Sequence, residues 1–400
     1  MRLENKKILL GMTGGIACYK VAYLCRKLKS EGADVTVVMT EAAKSFITPT
    51  TMQALSGHPV FSELLDPNMS DSMSHIHLSR DCDLVLIAPC TANFIAKLAH
   101  GIADDLLSSI CLASNKSIAI VPSMNSYMWT NRATQKNYFE ITSNGIFVWG
   151  PDSGLQACGE DGYGRMLEPE QITEEVVAFF KPKIMEGLRV LITAGPTQED
   201  IDPVRYLGNR SSGKTGYEIA KSAYEHGAEV HLISGPTCLD IPYGVSSTQV
   251  STAVEMHKEV IQRAKDYDIF ISVAAVADWH LPYPSEQKIK KNDGVDTWKP
   301  NWEFQKNPDI LAEVASIPDG PWCVGFAAET ENLEEYGSIK RERKSIPLLV
   351  GNLAQYSMGK DTTTFLLFDS DGIEKFETLP KSEAADKLIT AIHKRFNKNA

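Results

Sequence analysis

The chain has no C-x-x-C pair, and Cys18, Cys25, Cys82, Cys90, Cys111, Cys158, Cys238 and Cys323 are scattered along it. Such spacing predicts a reduced, cytoplasmic protein rather than a disulfide framework. No stretch approaches the roughly 20 apolar residues of a membrane-spanning helix, so no membrane contact is expected. The opening MRLENKKILLGMTGG has an apolar run too short for a secretory signal, and that run leads straight into a Gly-rich turn. Basic residues are in deficit, with 40 Lys and Arg against 51 Asp and Glu and a formal net charge of -11. That balance argues against a nucleic-acid binder, whose footprint is basic. It leaves small anionic ligands open, because a local cationic cluster can hold a phosphate on an acidic protein.

What the sequence does contain is the same opening pattern twice. At 400 residues it exceeds the size at which one hydrophobic core stops growing, so two domains are expected. Lys7 to Met12 reads as a buried strand, a Thr-Gly-Gly turn follows, and Ile16, Val21, Leu24 and Leu28 form a helical stripe. Gly32 stops that helix, and Val35 to Met39 reads as the next strand. In the second half, Val190 to Thr193, Thr215 to His226 and Val230 to Ile233 repeat strand, helix and strand. Further buried-type strands lie at 84–88, 118–121, 269–274, 322–326 and 348–350. The alternation predicts the α/β class, with two doubly wound, Rossmann-like domains and mostly parallel sheets. The domains are expected at 1–182 and 189–400, with a linker at 183–188. The tail from about Lys394 is polar and is expected to fray. Ligands on such folds bind beyond the carboxyl ends of the strands, so the turns there are where chemistry is sought.

In the first half, the turn Gly11-Met-Thr-Gly-Gly-Ile-Ala-Cys-Tyr-Lys20 joins strand to helix. It is not a dinucleotide fingerprint, but amides at a helix start suit an anion. Three other segments stand out: Ala88-Pro-Cys-Thr-Ala-Asn93, Pro122-Ser-Met-Asn-Ser-Tyr-Met-Trp129, and the Gly-rich loop Ala157-Cys-Gly-Glu-Asp-Gly-Tyr-Gly-Arg-Met166. With Ser74-His-Ile-His77, this set resembles the flavin-binding cysteine decarboxylases, phosphopantothenoylcysteine decarboxylase among them, over about residues 5–180. The resemblance implies FMN bound by Gly14, Gly15, Ile16, Thr40, Thr91, Ala92 and Asn93. It also implies chemistry at His75, Asn125 and Cys158. Flavin oxidises the cysteinyl thiol to a thioaldehyde, carbon dioxide leaves to give an enethiol, and hydride then returns. In that scheme Asn125 holds the substrate carboxylate, Cys158 gives the proton, and His75 assists beside the flavin. His75 and His77 alone are too few ligands for a transition metal.

In the second half, Gly208-Asn-Arg-Ser-Ser-Gly-Lys-Thr215 matches the P-loop pattern literally. A P-loop starts directly at a strand end, and here twelve or so residues intervene after the strand ending near Ala194. The segments Thr193-Ala-Gly-Pro-Thr197, Asp202-Pro-Val-Arg-Tyr206 and Asn209-Arg-Ser-Ser-Gly-Lys-Thr-Gly216 resemble phosphopantothenate–cysteine ligase, as do Ala274 to Trp279, Lys288 to Lys291, Lys306 to Ile310, Gly325 to Thr330 and Lys340 to Lys344. The likeness covers about residues 188–400. It implies Asp278, Lys288, Asn307, Pro308, Asp309, Ile310, Phe326, Lys340 and Lys344 as CTP contacts, with Asn209 and Lys288 handling the activated acyl group. Lys340 and Lys344 are four apart and would share one helix face. One departure is Leu353, which follows Asn352 where the family commonly has an acid.

Together the halves resemble the bacterial bifunctional enzymes of coenzyme A synthesis. That implies CTP-dependent coupling of 4′-phosphopantothenate to cysteine, then decarboxylation to 4′-phosphopantetheine. It further implies Mg²⁺ with the triphosphate, its ligands unassigned, and a homo-oligomer built from trimeric and dimeric contacts, hence a dodecamer. Two rivals stand beside it: a P-loop NTPase with an attached flavoprotein, and a flavin-binding regulatory subunit without turnover. The position of the strand counts against the first, and the presence of His75, Asn125 and Cys158 against the second.

Overall fold

The computed structural model describes residues 1–64, 73–290, 302–353, 355 and 359–399. The chain divides into two compact units, Met1–Phe180 and Lys181–Ala400. In the first, the order is β1 (Lys7–Met12), α1 (Cys18–Ser30), β2 (Asp34–Met39), α2 (Glu41–Lys44), α3 (Pro49–Ser56), α4 (Ser74–Arg80), β3 (Leu84–Cys90), α5 (Ala92–His100), α6 (Leu106–Ala113) and β4 (Ser117–Pro122). Then come α7 (Ser126–Thr130), α8 (Arg132–Ser143), β5 (Phe147–Val148), β6 (Asp152–Leu155), β7 (Asp161–Arg165) and α9 (Pro169–Phe180). The strands pair in the order β2-β1-β3-β4-β5, all parallel. This is a doubly wound order, and its direction reverses between β1 and β3. Both faces of the sheet are covered, so β3 is buried along its whole length.

The second unit runs β8 (Arg189–Ala194), β9 (Gln198–Asp202), β10 (Arg205–Gly208), α10 (Lys214–Glu225), β11 (Glu229–Ser234), β12 (Ser246–Gln249), α11 (Ala253–Arg263), β13 (Ile269–Ser272), β14 (Trp279–His280) and β15 (Gln305–Lys306). It continues with α12 (Ile310–Ala315), β16 (Trp322–Glu329), α13 (Leu333–Lys344), β17 (Leu348–Leu353), β18 (Thr362–Thr363), β19 (Leu366–Asp369), β20 (Gly372–Lys375), β21 (Leu379–Pro380) and α14 (Lys381–Asn399). Its sheet has the order β12-β11-β8-β13-β16-β17-β19-β20, parallel through β17 and antiparallel beyond. The direction reverses between β8 and β13, which fixes where a ligand crevice can open.

The period of two in a strand sorts the side chains of this sheet into two cores. Val190 and Ile192 pack with Ile219 and Ala223 of α10 and with Leu388 and Ile392 of α14. Leu191, between them, packs with Phe270, Met256 and Val260 of α11, Ile310 and Leu311 of α12, and Leu333 of α13. So α10 and α14 form one layer and α11, α12 and α13 the other.

Three features depart from the pattern read in the sequence. The Gly-rich loop is a hairpin, with β6 and β7 antiparallel. A second hairpin, β9–β10, separates β8 from the turn that mimics a P-loop, so that turn is not a strand-to-helix phosphate loop. The polar tail does not fray at Lys394, because α14 continues to Asn399. Arg395 donates to Asp369 at 2.6 Å and to Glu374 at 2.8 Å, and Phe396 meets Trp322 edge-on at 6.2 Å. These contacts outweigh the polarity of the last turn. Among the described residues, Arg395→Ala leaves Asp369 with the Asp371 and Gly372 amides. The expected loss is about 1–2 kcal/mol, read as a lower urea midpoint. An unchanged midpoint would mean that the ion pairs add nothing to the helix end.

Candidate functional site

In the first unit the parallel strands aim their carboxyl ends at one edge, and polar residues cap the helices that leave it. Thr40, Thr91 and Asn125 are the N-caps of α2, α5 and α7, and they accept from the amides of Ala43, Phe94 and Tyr127. Each cap satisfies an amide that the helix itself cannot. Thr13 ties two of the loops together, since its Oγ1 donates to the Pro89 carbonyl at 2.7 Å and accepts from the Thr91 amide at 3.1 Å. Between β1 and α1, no backbone acceptor among the described residues takes the amides of Gly14, Gly15 and Ile16. The two glycines differ in purpose. A Cβ on Gly14 would lie 2.4 Å from the Ala42 Cβ, so Gly14 lets two turns of the chain touch. A Cβ on Gly15 would meet nothing nearer than Pro89 and Thr91 at 3.9 Å, so its open side faces the space between the β1 and β3 turns. Ile16 holds an apolar side chain 61% exposed beside that space, and Ala92 and Asn93 begin α5 on the other side of it.

The hairpin brings chemistry to the same edge. Asn125 Nδ2 stands 3.5 Å from Cys158 Sγ in the β6–β7 turn. The same amide donates to Glu160 Oε2, and the Ser126 hydroxyl donates to that oxygen at 3.4 Å. Gln156 accepts from the Ser126 amide at 3.2 Å and lies 3.9 Å from Cys158 Sγ. Cys158 is exposed, whereas Cys90 is buried and burial pushes its thiol far above the ordinary range. Only a thiolate is strongly nucleophilic, so Cys90 is chemically quiet, and Cys158 is the exposed thiol of this unit. His75 lies on α4, and its Nδ1 is buried with no partner among the described residues. The structure gives it no bond to Asn125 or Cys158.

In the second unit a cavity of about 620 Å³ opens beyond β8, β13 and β16, at the point where strand order reverses. Its lining includes Asn209, Lys214, Asp278, Phe326, Lys340 and Lys344. Asn307, Pro308, Asp309 and Ile310 form another part of the wall. Gly216 lets α10 start against β8, since a Cβ there would sit 2.5 Å from the Ala194 Cβ. Asn209 Nδ2 donates to the carbonyls of Ala275 at 3.3 Å and Val276 at 3.0 Å, which fixes the amide at the end of β13. Asn307 is buried, and its Nδ2 donates to the Ala277 carbonyl at 2.8 Å while Oδ1 has no partner among the described residues. Burial alone would raise the Asp309 carboxyl, but the ammonium of Lys344 and the Ala312 amide hold it below the ordinary range. Burial pushes the Lys340 ammonium down; Glu329 opposes this, Lys344 and Arg343 add to it, and Asp278 opposes it more weakly. An anion in the cavity would favour the charged form of Lys340.

A family model described as Flavoprotein matches residues 1–181, and one described as DNA/pantothenate metabolism flavoprotein C-terminal domain matches residues 185–396. The coenzyme A biosynthesis bifunctional protein CoaBC of Vibrio cholerae is 47% identical over 397 residues, which cover 98% of this chain and 99% of that protein. The CoaBC protein of Escherichia coli K12 is 47% identical over 394 residues, 97% of each chain. That of Bacillus subtilis is 40% identical over 377 residues, 92% of each chain.

The chain belongs to the coenzyme A biosynthesis bifunctional protein family. It is a bifunctional enzyme of coenzyme A biosynthesis, with a flavoprotein decarboxylase unit and a ligase unit. No described helix is long and apolar enough to cross a membrane.

Within this bifunctional protein the structure unites Asn125 with Cys158, and Asn209 with Asp278, Asn307 to Ile310, Phe326, Lys340 and Lys344 around one cavity. It does not bring Lys288 to that cavity wall. Lys288 is exposed, next to Ile289, whose amide donates to Asp202 at 3.2 Å; residues 291–301 lie outside the described residues. Sequence reasoning missed Glu160, which lies in the quoted loop, and Gln156, which stands just before it. It also missed Lys214 as a cavity residue and Lys381 altogether. For Lys381 the only signal was a lysine after Pro380 at a helix start.

Proposed function

We propose that the first unit is an FMN-dependent phosphopantothenoylcysteine decarboxylase and the second a CTP-dependent phosphopantothenate–cysteine ligase. The observation that carries this reading is the meeting of Asn125 and Cys158 at the carboxyl edge of a doubly wound sheet. The residues of that edge fit FMN. The open side of Gly15, and the amides of Gly14 to Ile16 that no backbone acceptor among the described residues takes, suit its phosphate at a helix start. Thr40, Thr91, Ala92 and Asn93 line the neighbouring turns, and the orphaned Nδ1 of His75 suits a polar ring edge. Bound FMN supplies two-electron oxidation of the substrate thiol and its reversal. The chain supplies the rest. The Asn125 amide binds the substrate carboxylate until it leaves as carbon dioxide, and Cys158 gives a proton from Sγ to the enethiol carbon. Glu160 accepts from the same Asn125 amide, which has a second N–H for the carboxylate.

In the ligase unit, the 4′-phosphopantothenate carboxylate attacks the α-phosphorus of CTP and pyrophosphate leaves. The cysteine amine then attacks the acyl-cytidylate and CMP leaves. Lys340, Lys344 and Asn307 serve the nucleotide and Asn209 the acyl carbonyl; a role for Lys288 on the bridging phosphate follows the family resemblance alone, since Lys288 does not line the cavity. Mg²⁺ bound to the triphosphate would supply Lewis-acid stabilisation, its protein ligands being unassigned. CTP, and the trimeric and dimeric contacts of an oligomer, follow the resemblance to the bacterial bifunctional enzymes. Two measurements test the whole reading. Denaturing the purified protein should release FMN, identified by mass. Incubation with 4′-phosphopantothenate, cysteine, Mg²⁺ and CTP should yield 4′-phosphopantetheine, pyrophosphate and CMP. A protein that takes up no FMN removes the first assignment, and turnover with ATP but not CTP removes the second.

A further inference from the structure

The ligase cavity carries positive charge from both layers of the sheet. Lys340 and Lys344 come from α13, in the layer with α11 and α12. Lys214 and Lys381 come from α10 and α14, which form the other layer. The reaction read above joins two anionic substrates, a nucleoside triphosphate and a phosphorylated acid. Each brings its own phosphate charge, and one cationic cluster cannot hold both without forcing like charges together. We propose that Lys381, with Lys214, binds the phosphate monoester of the acyl-donor substrate and thereby selects 4′-phosphopantothenate over pantothenate. The assignment rests on the ligase reading of this unit.

Lys381 is placed for that task by its burial. It is 6% exposed, yet its side chain belongs to the wall of the cavity and not to the apolar core beneath it. Burial pushes the ammonium below the ordinary lysine range, and repulsion from Lys214 adds to this, while Asp361 and Glu218 oppose it. An arriving dianion reverses that balance, which is how a site gains selectivity for charge. Lys214 donates to Asp361 at 2.6 Å. Asp361 is 88% exposed, so solvent can take up its charge when Lys214 turns to a ligand. The Lys381 amide donates to the Asp361 carbonyl at 2.9 Å, which anchors the start of α14 beside the start of α10. Asn209 lies in the same turn that leads into α10. A single substrate can therefore present its carboxyl to Asn209 and its phosphate to the two lysines.

The test is ligase kinetics of the full chain with 4′-phosphopantothenate and with pantothenate. Lys381→Met keeps the stem and removes the charge. Its KM for 4′-phosphopantothenate should rise roughly 10- to 100-fold, the scale of a lost hydrogen bond to a charged group. The KM for CTP should stay within about twofold, and the preference over pantothenate should fall by the same factor. Lys381→Arg should recover part of the loss. If Lys381→Met fails to fold by far-UV circular dichroism, Lys214→Gln carries the same test in a partly exposed position. Equal rises in both KM values, or a normal KM for 4′-phosphopantothenate, overturn the assignment. A wild-type chain that ligates neither acid removes the ligase reading and this assignment with it. Ligation by the wild type with no change in the variants removes only the role of Lys381.

Discussion

Cys158→Ser should stop the decarboxylase after carbon dioxide has left. The holoprotein variant should release carbon dioxide from 4′-phosphopantothenoylcysteine while the enethiol accumulates, and 4′-phosphopantetheine formation should fall about 100- to 10,000-fold, the usual range for a lost general acid. The geometry is what separates the steps. In the proposed scheme the carboxylate is held by the Asn125 amide until it leaves, and the variant keeps that amide. Protonation requires an acidic hydrogen near the reacting carbon, and a serine hydroxyl is far less acidic than a thiol. Cys158 is the right thiol on two grounds: it is exposed on a hairpin turn, and it stands 3.5 Å from the Asn125 amide that orients the substrate. Cys90, the other thiol near a strand end, is buried and held protonated by that burial. Trapping the products with a thiol reagent and weighing them distinguishes enethiol from 4′-phosphopantetheine. Normal 4′-phosphopantetheine formation by Cys158→Ser would remove the proton-donor role.

The strands and their parallel arrangement were legible because buried strands such as 84–90 and 189–194 are continuous apolar runs ended by turn residues. The two helices read from their spacing, 16–30 and 215–226, agree with α1 and α10 to within one or two residues at each end. Hairpins β6–β7 and β9–β10 were not, because their strands are half exposed and rich in glycine or charge, so neither alternation nor an apolar run marks them. The literal P-loop shows the limit from the other side. The string from Gly208 to Thr215 is right, but a hairpin precedes it, and only the intervening residues warned of that. In the sites, nearness to a motif helped only in part, since Glu160 and Lys214 lie inside quoted segments and were still missed. Asn209 and Lys344 stand in quotable segments. Lys381 reaches the cavity because α14 packs beside α10 on one face of the sheet, a fact of topology that no local spacing carries.

Asn209→Asp should leave the ligase able to form an acyl-cytidylate that cysteine cannot clear. A carboxylate is a poor acyl donor because its leaving group would be oxide, so activation must precede amide formation. Attack by the amine then builds negative charge on the carbonyl oxygen, and a fixed donor aimed at that oxygen stabilises the transition state. Losing such a donor costs about 100- to 1000-fold in rate. The Asn209 amide is fixed by two carbonyls, Val276 at 3.0 Å and Ala275 at 3.3 Å. The longer bond is the weaker, and it is the one the acyl oxygen would replace. An aspartate at this position has no hydrogen to give and is repelled by both carbonyls, so it fails as a donor and turns away from the end of β13. The first step should suffer less, because Lys340, Lys344 and Asn307 lie elsewhere on the cavity wall and are unchanged. The measurement mixes the variant with 4′-phosphopantothenate, CTP and Mg²⁺, adds cysteine, and quenches over time for mass analysis. A persistent species with the mass of the acyl-cytidylate, together with pyrophosphate release in the first turnover, is the expected result. Clearance by cysteine at the wild-type rate would take Asn209 out of the acyl-transfer step, and absence of any intermediate with loss of pyrophosphate release would move it to the activation step instead.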